Sequence, residues 1–326
     1  MLNKIFGIAA KLTLTTIIAV GSMLSVNTFA QDNEYVEEVV SIGTRGKPRS
    51  VSSSPVPVDV LSAEDISKTG TDDLLMQLQG SIPSLNVHLQ PISDAASMIR
   101  PANLRGLSAD STLITTNGKR RHHASVIAFQ GGGVNDGSQG ADISVIPAIA
   151  LKRVEVLRDG ASAQYGSDAI AGVINFVLDD ISEGGSLSYK MGEYTEGDGA
   201  TTTIAGKYGM PLGQDGFVTT SFQIRQADDT SRSAQRPDAA ALIAAGNAAV
   251  ANPAQIWGAP KIDDDVTFFM NSGVTNSDGS ESYMFGNYSE RDVDGGFYYR
   301  NPDGRSGVFT IGDYRAVGNV DGTCAY

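Results

Sequence analysis

Alternating apolar and polar residues restrict the C-terminal half of the chain to β-strands, because successive side chains along a strand point to opposite faces. The candidate strands, separated by glycine and aspartate turns, lie at Leu187–Met191, Ile204–Met210, Val218–Ile224, Val266–Met270 and Ser282–Ser289. The last two are rich in aromatics and alternate less cleanly. Weak alternation of this kind is typical of membrane-barrel strands, apolar outward and polar inward. A soluble β-sandwich would produce a similar pattern, so periodicity alone leaves both open.

The first 30 residues predict a secretory signal peptide, which forms no part of the mature fold. Lys4 and Lys11 give a mildly basic start, the apolar run Leu12–Leu24 follows, and Thr28-Phe29-Ala30 offers small residues at the positions that a signal peptidase reads. The run is shorter than the roughly 18 apolar residues of a spanning helix, and a retained N-terminal anchor is the alternative. We therefore expect an exported protein whose mature chain begins near Gln31.

Residues 31–55 predict a short extended segment followed by a linker. Between Glu37 and Arg45, β-branched residues cluster between charges and a glycine, and Lys47–Pro55 is polar and marked by prolines. A β-prone segment on a flexible tether can be captured as an added strand at the edge of a partner's sheet. A disordered arm without a role is the other interpretation.

Residues 56–180 predict a compact α+β domain with a small mixed sheet. Val56–Val60 is an edge-type strand, because Pro57 cannot donate to a neighbouring strand. Asn117-Gly118, directly after Thr112–Thr116, is the strongest short signal for a hairpin. The remaining predicted elements are helix caps at Asp65 and Thr71, a short helix over Leu74–Leu78, and strands at Leu85–Leu89, Val154–Arg158 and Gly172–Val177.

The stretch Lys152–Leu178 reads as strand, glycine turn, short helix and strand, a frame shared with two catalytic motifs. A phosphate loop needs G-x-x-x-x-G-K-[ST], but Gly160 and Gly166 are one residue too far apart and Ser167 replaces the lysine. A nucleophile elbow needs G-x-S-x-G, and the closing glycine after Ser162 is missing. With only three histidines to serve as a base, no hydrolase set emerges, and we expect no catalytic residue.

Charge and cysteine content exclude further classes. The 37 acidic and 24 basic residues give a net charge of -13, which argues against a nucleic-acid partner. Cys324 is the single cysteine, so an intrachain disulfide is impossible. His122 and His123 could bind a metal, but no carboxylate or cysteine lies at ligand spacing, so neither a metal site nor a cofactor is predicted.

Four stretches, in order and spacing, resemble the plug domain of TonB-dependent outer-membrane receptors: Pro57–Ile66, Ile99–Leu107, Ile114–His122 and Lys152–Leu178. Glu38–Gly43 lies where that family keeps its TonB box. Pro101, beside the arginine-glycine motif, is a departure, because many members continue in strand conformation there.

The resemblance implies a receptor for energy-coupled uptake of a siderophore, vitamin or oligosaccharide, with outer-membrane lipid and lipopolysaccharide around it. TonB, the energy-coupling protein of the inner membrane, would pair with a box formed by Glu38, Val39, Val40, Ser41 and Ile42. Charged and polar residues would hold the plug by charge-assisted bonds, and glycines would permit its turns. The implied structural or gating residues are Arg105, Gly106, Asn117, Gly118, Glu155, Arg158, Gly160, Gly166, Gly172 and Asn175.

A basic cluster follows the predicted hairpin. Arg120, Arg121 and His122 are candidates for facing an anionic ligand or lipopolysaccharide, and a solvated loop tip is the competing interpretation.

The number of strands predicts an incomplete barrel in residues 181–326. A barrel of about eight strands is filled by its own side chains, whereas one of about 22 strands can hold a plug. These residues supply five or six strands, with Asp228–Lys261 expected as a long extracellular loop containing one or two helical turns. An open edge in lipid is not tolerated, so we expect the N-terminal portion of a longer receptor or a truncated reading frame. An exported soluble β-rich binding module or adhesin is the alternative.

Overall fold

A computed structural model describes residues 39–40, 42, 49–50, 57–89, 97–128, 133–248, 250–296, 299 and 301. The predicted signal peptide, Glu38, Ser41 and Cys324 lie outside the described residues. Two five-stranded sheets dominate, one in an N-terminal α+β domain and one formed by the C-terminal strands, as the sequence predicts. No helix in the described part of the chain is long and apolar enough to cross a membrane.

The N-terminal domain is built on a mixed sheet with the strand order β3-β8-β9-β6-β7. Only β6 and β9 run parallel to each other. The elements, in chain order, are β1 (Val39–Val40), β2 (Arg49–Ser50), β3 (Val58–Ser62), α1 (Ala63–Ser67), α2 (Leu74–Ser81), β4 (Leu85–Val87), β5 (Ala102–Leu104), β6 (Thr112–Thr116), β7 (Lys119–Arg120), β8 (Leu151–Leu157), α3 (Ser162–Tyr165) and β9 (Gly172–Leu178). Two short antiparallel pairs, β1-β2 and β4-β5, complete it.

Local sequence explains most of these elements. Strand β3 begins directly after Pro57 and lies at the edge of the sheet. This position agrees with the sequence, because proline has no backbone N–H to donate to a second neighbouring strand. The predicted helix caps were wrong: Ser62 caps α1 by accepting from the Asp65 amide at 3.1 Å, and Asp73 caps α2. Both caps directly precede the first helical turn with extended backbone, where an oxygen can reach the free N–H groups. Asp65 lies inside α1, and the Thr71 hydroxyl accepts from the Asp73 amide instead.

The core lies on both faces of the central strands β8 and β9. One face packs against α2 and the β4-β5 pair, and its cluster includes the fully buried Leu78, Leu104 and Phe176. Phe269 of the C-terminal sheet is 2% exposed and belongs to the same cluster. A smaller cluster on the opposite face includes Leu113 and Val173.

The C-terminal sheet is an antiparallel meander of five strands paired in chain order. Its elements are β10 (Gly185–Gly192), β11 (Thr201–Pro211), β12 (Gly216–Ala227), α4 (Pro237–Ala244), β13 (Lys261–Thr275) and β14 (Glu281–Asp294). Residues 212–215 and 276–280 make short turns at one end, and residues 193–200 and 228–260 make longer connections at the other. Helix α4 gives the longest connection the helical turns that its alanine-rich sequence predicts.

The two faces of this sheet differ as the alternation predicts. Polar side chains on one face are buried against the N-terminal domain, among them Thr219, Thr267 and Asn271. The opposite face exposes large apolar and aromatic side chains on all five strands: Leu187, Tyr189, Met191, Tyr208, Met210, Phe222, Ile224, Phe268, Met284 and Tyr288. The sheet therefore has one polar face with a partner and one apolar face without protein cover among the described residues.

Candidate functional site

A buried polar network occupies the centre of the N-terminal sheet. The Asn175 side chain on β9 accepts from the Thr115 hydroxyl at 2.8 Å and from the Gly118 backbone N–H at 2.9 Å. Its amide nitrogen donates to Glu155 Oε2 at 3.0 Å. Arg153 Nε donates to the other Glu155 oxygen at 2.9 Å, so the fully buried carboxylate is paired with a cation. A buried charge is tolerated only when it is paired and hydrogen-bonded.

The β6-β7 turn extends this network to the C-terminal sheet. Asn117 and Gly118 have φ angles of 47° and 72°, the left-handed conformation that a two-residue hairpin turn requires. Asn117 Oδ1 accepts from the Leu178 amide at 2.9 Å, while its Nδ2 donates to Asn271 Oδ1 at 3.2 Å. Four residues predicted separately, Asn117, Gly118, Glu155 and Asn175, are thus brought together.

The three glycines of the strand-turn-helix-strand stretch have unequal roles. Gly172 has a φ of 147°, and a Cβ there would lie 2.2 Å from the Leu157 carbonyl oxygen and 2.8 Å from a Leu104 methyl carbon. Gly166 has a φ of 109°, which also favours glycine. Gly160 has ordinary backbone, and its Cβ would be 3.4 Å from the nearest atom. Only Gly172 is fixed by both backbone conformation and close approach.

The remaining predicted charges lie away from the network. Arg158 forms an ion pair with Asp59 and so ties the edge strand β3 to the end of β8. Arg105 has a φ of 57°, is followed by Gly106 at 73°, and approaches Asp159 at 3.7 Å on the surface. Exposed pairs of this kind contribute about 0–1 kcal/mol.

The three basic residues considered as ligand-facing point in different directions. Arg120 pairs with Asp168 and donates to the Tyr165 carbonyl at 2.7 Å, beside α3. Arg121 donates to the Asp142 carbonyl oxygen at 3.2 Å, and burial lowers the pKa of its guanidinium. His122 is exposed. The structure does not bring the three together, and contact with a ligand stays a prediction for each.

Comparison with known proteins identifies a relative of the N-terminal domain. The family model described as the TonB-dependent receptor plug domain matches residues 50–173. Residues 50–173 are thus similar to the plug domain of TonB-dependent receptors. Below, the plug denotes residues 57–180, and the wall denotes the sheet β10–β14. The boundaries 31–55, 56–180 and 181–326 stay predictions.

Two curated relatives support the same family. The iron-regulated outer membrane virulence protein of Vibrio cholerae is 29% identical over 161 residues, 49% of this chain and 23% of that protein. The ferric enterobactin receptor PirA of Pseudomonas aeruginosa is 28% identical over 175 residues, 51% of this chain and 23% of that protein. The match therefore spans about a quarter of the length of these relatives.

Solved structures show the same fold. The ferric enterobactin receptor of Pseudomonas aeruginosa in complex with enterobactin aligns with a TM-score of 0.56 at 20% identity, over 73% of this chain and 33% of that one. The ferric citrate transporter FecA aligns with a TM-score of 0.50 at 14% identity, over 74% and 32%.

The sequence did not predict the residues that connect the plug to the wall. Asp179, just after β9, pairs with Lys207 of β11, and its backbone carbonyl accepts from Asn271 at 3.0 Å. Asp72, near the start of α2, pairs with Lys190 of β10 at 3.2 Å. These partners are 28 to 118 positions apart in the chain, and each residue by itself is an ordinary surface charge in the sequence.

The described part of the predicted TonB box comprises a short strand pair and one residue packed on the plug. Val39 and Val40 pair antiparallel with Ser50 and Arg49. Ile42 is 2% exposed and packs in the smaller plug cluster. The described residues of this segment therefore form one antiparallel strand pair and one apolar contact with the plug.

A cavity of about 390 Å³ lies between the plug and the wall, at the end with the longer connections. Its wall side includes Arg225, Asp265 and Arg291, and its plug side includes Asp73 and Arg100. The described residues contain no group of three or more histidine, cysteine, aspartate or glutamate side chains that could hold a metal ion.

Proposed function

We propose that this chain is part of a receptor that takes up a small nutrient ligand across the outer membrane, with TonB supplying the energy. The two-faced wall carries the proposal: its polar face is buried against the plug, and its other face presents a continuous apolar surface. In a sheet that spans a lipid bilayer, apolar residues face outward to the lipid and polar residues face inward. The names of the relatives, a ferric enterobactin receptor among them, favour an iron-carrying ligand.

The alternative of a soluble adhesin fits this surface poorly. Leu187, Tyr189 and Met191 are each more than 60% exposed on one strand, and the neighbouring strands continue the surface. Large contiguous apolar patches on soluble proteins are covered by a partner or cause aggregation. Fractionation of the native cells separates the two hypotheses, since the receptor must sediment with outer membranes and an adhesin domain must wash free in salt.

Energy coupling would act through the segment around Val39–Ile42. A partner strand that pairs with Val39 and Val40 must first displace their pairing with Ser50 and Arg49. Withdrawing Ile42 from its cluster costs about 1.5–3 kcal/mol, which a few new strand hydrogen bonds and apolar contacts with a partner offset. Force then reaches the plug at Val58, where the edge strand β3 pairs with β8 alone among the described strands.

Substituting Val40→Pro tests this assignment, because proline has no N–H to donate to an added strand. We expect uptake of radiolabelled ferric enterobactin, used as the probe, to be lost while its binding at the cell surface is unchanged. Val40→Thr is the matched control, since threonine keeps the amide and the strand preference. Equal loss of binding and uptake in the proline variant would contradict the assignment.

A further inference from the structure

The turn between β6 and β7 contains the single Asn-Gly pair of this sequence, Asn117-Gly118. In such a pair the backbone nitrogen of glycine can attack the side-chain amide carbon of asparagine, because no Cβ on the glycine shields that nitrogen. Gly118 is exposed to solvent and Asn117 is half-buried, so water and base can reach the turn. Burial therefore does not protect this pair in the folded protein.

Hydrogen bonds hold the reacting atoms of the turn in place instead. The attacking nitrogen, that of Gly118, donates to Asn175 Oδ1 at 2.9 Å. On the asparagine, Oδ1 accepts from the Leu178 amide at 2.9 Å and Nδ2 donates to Asn271 Oδ1 at 3.2 Å. Ring closure requires the amide carbon of Asn117 to move onto the Gly118 nitrogen, and this movement breaks all three bonds. The closed turn therefore resists the reaction.

We propose that Asn117-Gly118 is a self-modification site that reacts when the plug network opens, and that its acidic product weakens the contact between plug and wall. The Gly118 nitrogen attacks Asn117 Cγ, and the new C–N bond closes a succinimide ring. The Cγ–Nδ2 bond breaks, and the amide nitrogen leaves as ammonia with the proton that Gly118 gives up. Water then opens the ring at either carbonyl, which yields aspartate at position 117 or its isomer with the main chain running through the side-chain carboxyl carbon.

The product removes a bond between plug and wall. Asn271 is 7% exposed, and its Nδ2 donates to the Asp179 carbonyl at 3.0 Å, which fixes its Oδ1 towards position 117. A carboxylate at position 117 has no N–H to donate, so two oxygen atoms would face each other. A buried acceptor that loses its donor destabilises the folded state. The isomer lengthens the main chain of a two-residue turn by one atom, which disturbs the register of β6 and β7.

The reaction rates of the folded and the unfolded protein test this protection. The purified protein is incubated at mildly alkaline pH, with and without enough urea to unfold the plug. Mass spectrometry then follows the modified fraction of the tryptic peptide 106–119, in which Asn117 is the only asparagine. We expect a rate at least about tenfold lower in the folded protein, since an opening free energy of about 1.4 kcal/mol already gives that factor. Equal rates, or no reaction in urea, would overturn the inference.

A variant links the rate to the network. Asn175→Ala removes the acceptor of the Gly118 nitrogen, and the rate without urea should rise at least about tenfold. Asn86→Ala, exposed on β4, is the matched control and should leave the rate unchanged. An unchanged rate in Asn175→Ala would contradict the inference. The comparison in urea uses the unaltered protein, so it decides the matter even where Asn175→Ala does not fold.

Asn117→Asp reproduces the aspartate product and tests its effect on the wall contact. It should lower the urea unfolding midpoint, whereas Asn86→Asp, which adds the same charge on the surface, should not. In an Asn271→Ala background Asn117→Asp should lower the midpoint less, because the opposing oxygen is absent. An equal decrease in both backgrounds would overturn the proposed weakening. The reaction does not depend on the proposed uptake function, which Val40→Pro tests separately.

Discussion

Replacing Asn175 with alanine removes the centre of the buried network. Three hydrogen bonds, to Thr115, Gly118 and Glu155, are lost from a fully buried position. A neutral bond contributes about 0.5–1.5 kcal/mol and a bond to a charge about 1.5–3 kcal/mol, and each buried group left without a partner costs a further about 1–3 kcal/mol. Water entering the space relieves part of this cost. We therefore expect the plug to lose about 3–5 kcal/mol of stability.

Amide hydrogen exchange measures this loss residue by residue, because exchange of buried amides reports local opening free energies. The Gly118 amide should show the largest increase, since its acceptor is removed directly. Asn86→Ala is the matched control: Asn86 is exposed on β4, and surface substitutions usually change stability by about 0.5 kcal/mol or less. If Asn175→Ala costs no more than Asn86→Ala, or if Gly118 exchange is unchanged, the network does not hold the plug sheet together.

Two further predictions concern backbone fit and pH. Gly172→Ala should destabilise the plug by about 2–5 kcal/mol, because the added methyl group strains the backbone and overlaps the Leu157 carbonyl oxygen. Gly160→Ala, the control, should cost less than about 1 kcal/mol. Equal urea unfolding midpoints for the two variants would refute the clash at Gly172. Arg236 and Asn301 hold the pKa of Asp238 at about 2, below its usual 3.8, so this contact is stable above about pH 4 and is lost as pH falls towards 2. Carboxyl NMR shifts of Asp238 should show this titration, and Arg236→Gln should move it upward; an unmoved midpoint would contradict the pairing.

Local chemistry explains which elements could be predicted. The Asn117-Gly118 turn follows from the two residues that tolerate its φ angles, and the edge position of β3 follows from Pro57. The helix caps were misassigned because Ser62, Asp65, Thr71 and Asp73 are all acceptable cap residues, and packing of the following helix selects between them.

Features that depend on residues far apart in the chain could not be predicted from the sequence. The strands predicted at Val266–Met270 and Ser282–Ser289 are longer in the structure, at Lys261–Thr275 and Glu281–Asp294. The sequence pattern missed their ends because these carry charges such as Asp265 and Arg291 and do not alternate with apolar residues. Burial of an acid on a strand depends on a partner from another strand. The parallel pairing of β6 with β9 likewise depends on segments about 60 positions apart, which no local pattern specifies.

Phe269 of the wall packs in the core of the plug, and this links folding of the plug to the presence of β13. This wall side chain is enclosed among plug residues, although it follows them by some 90 positions in the chain. During synthesis, the plug residues therefore leave the ribosome well before Phe269 has been added to the chain. Until β13 arrives, the nascent plug has a hole of aromatic size, and leaving such a hole open costs about 3–5 kcal/mol. We therefore expect the plug to reach its full stability only after β13 packs against it.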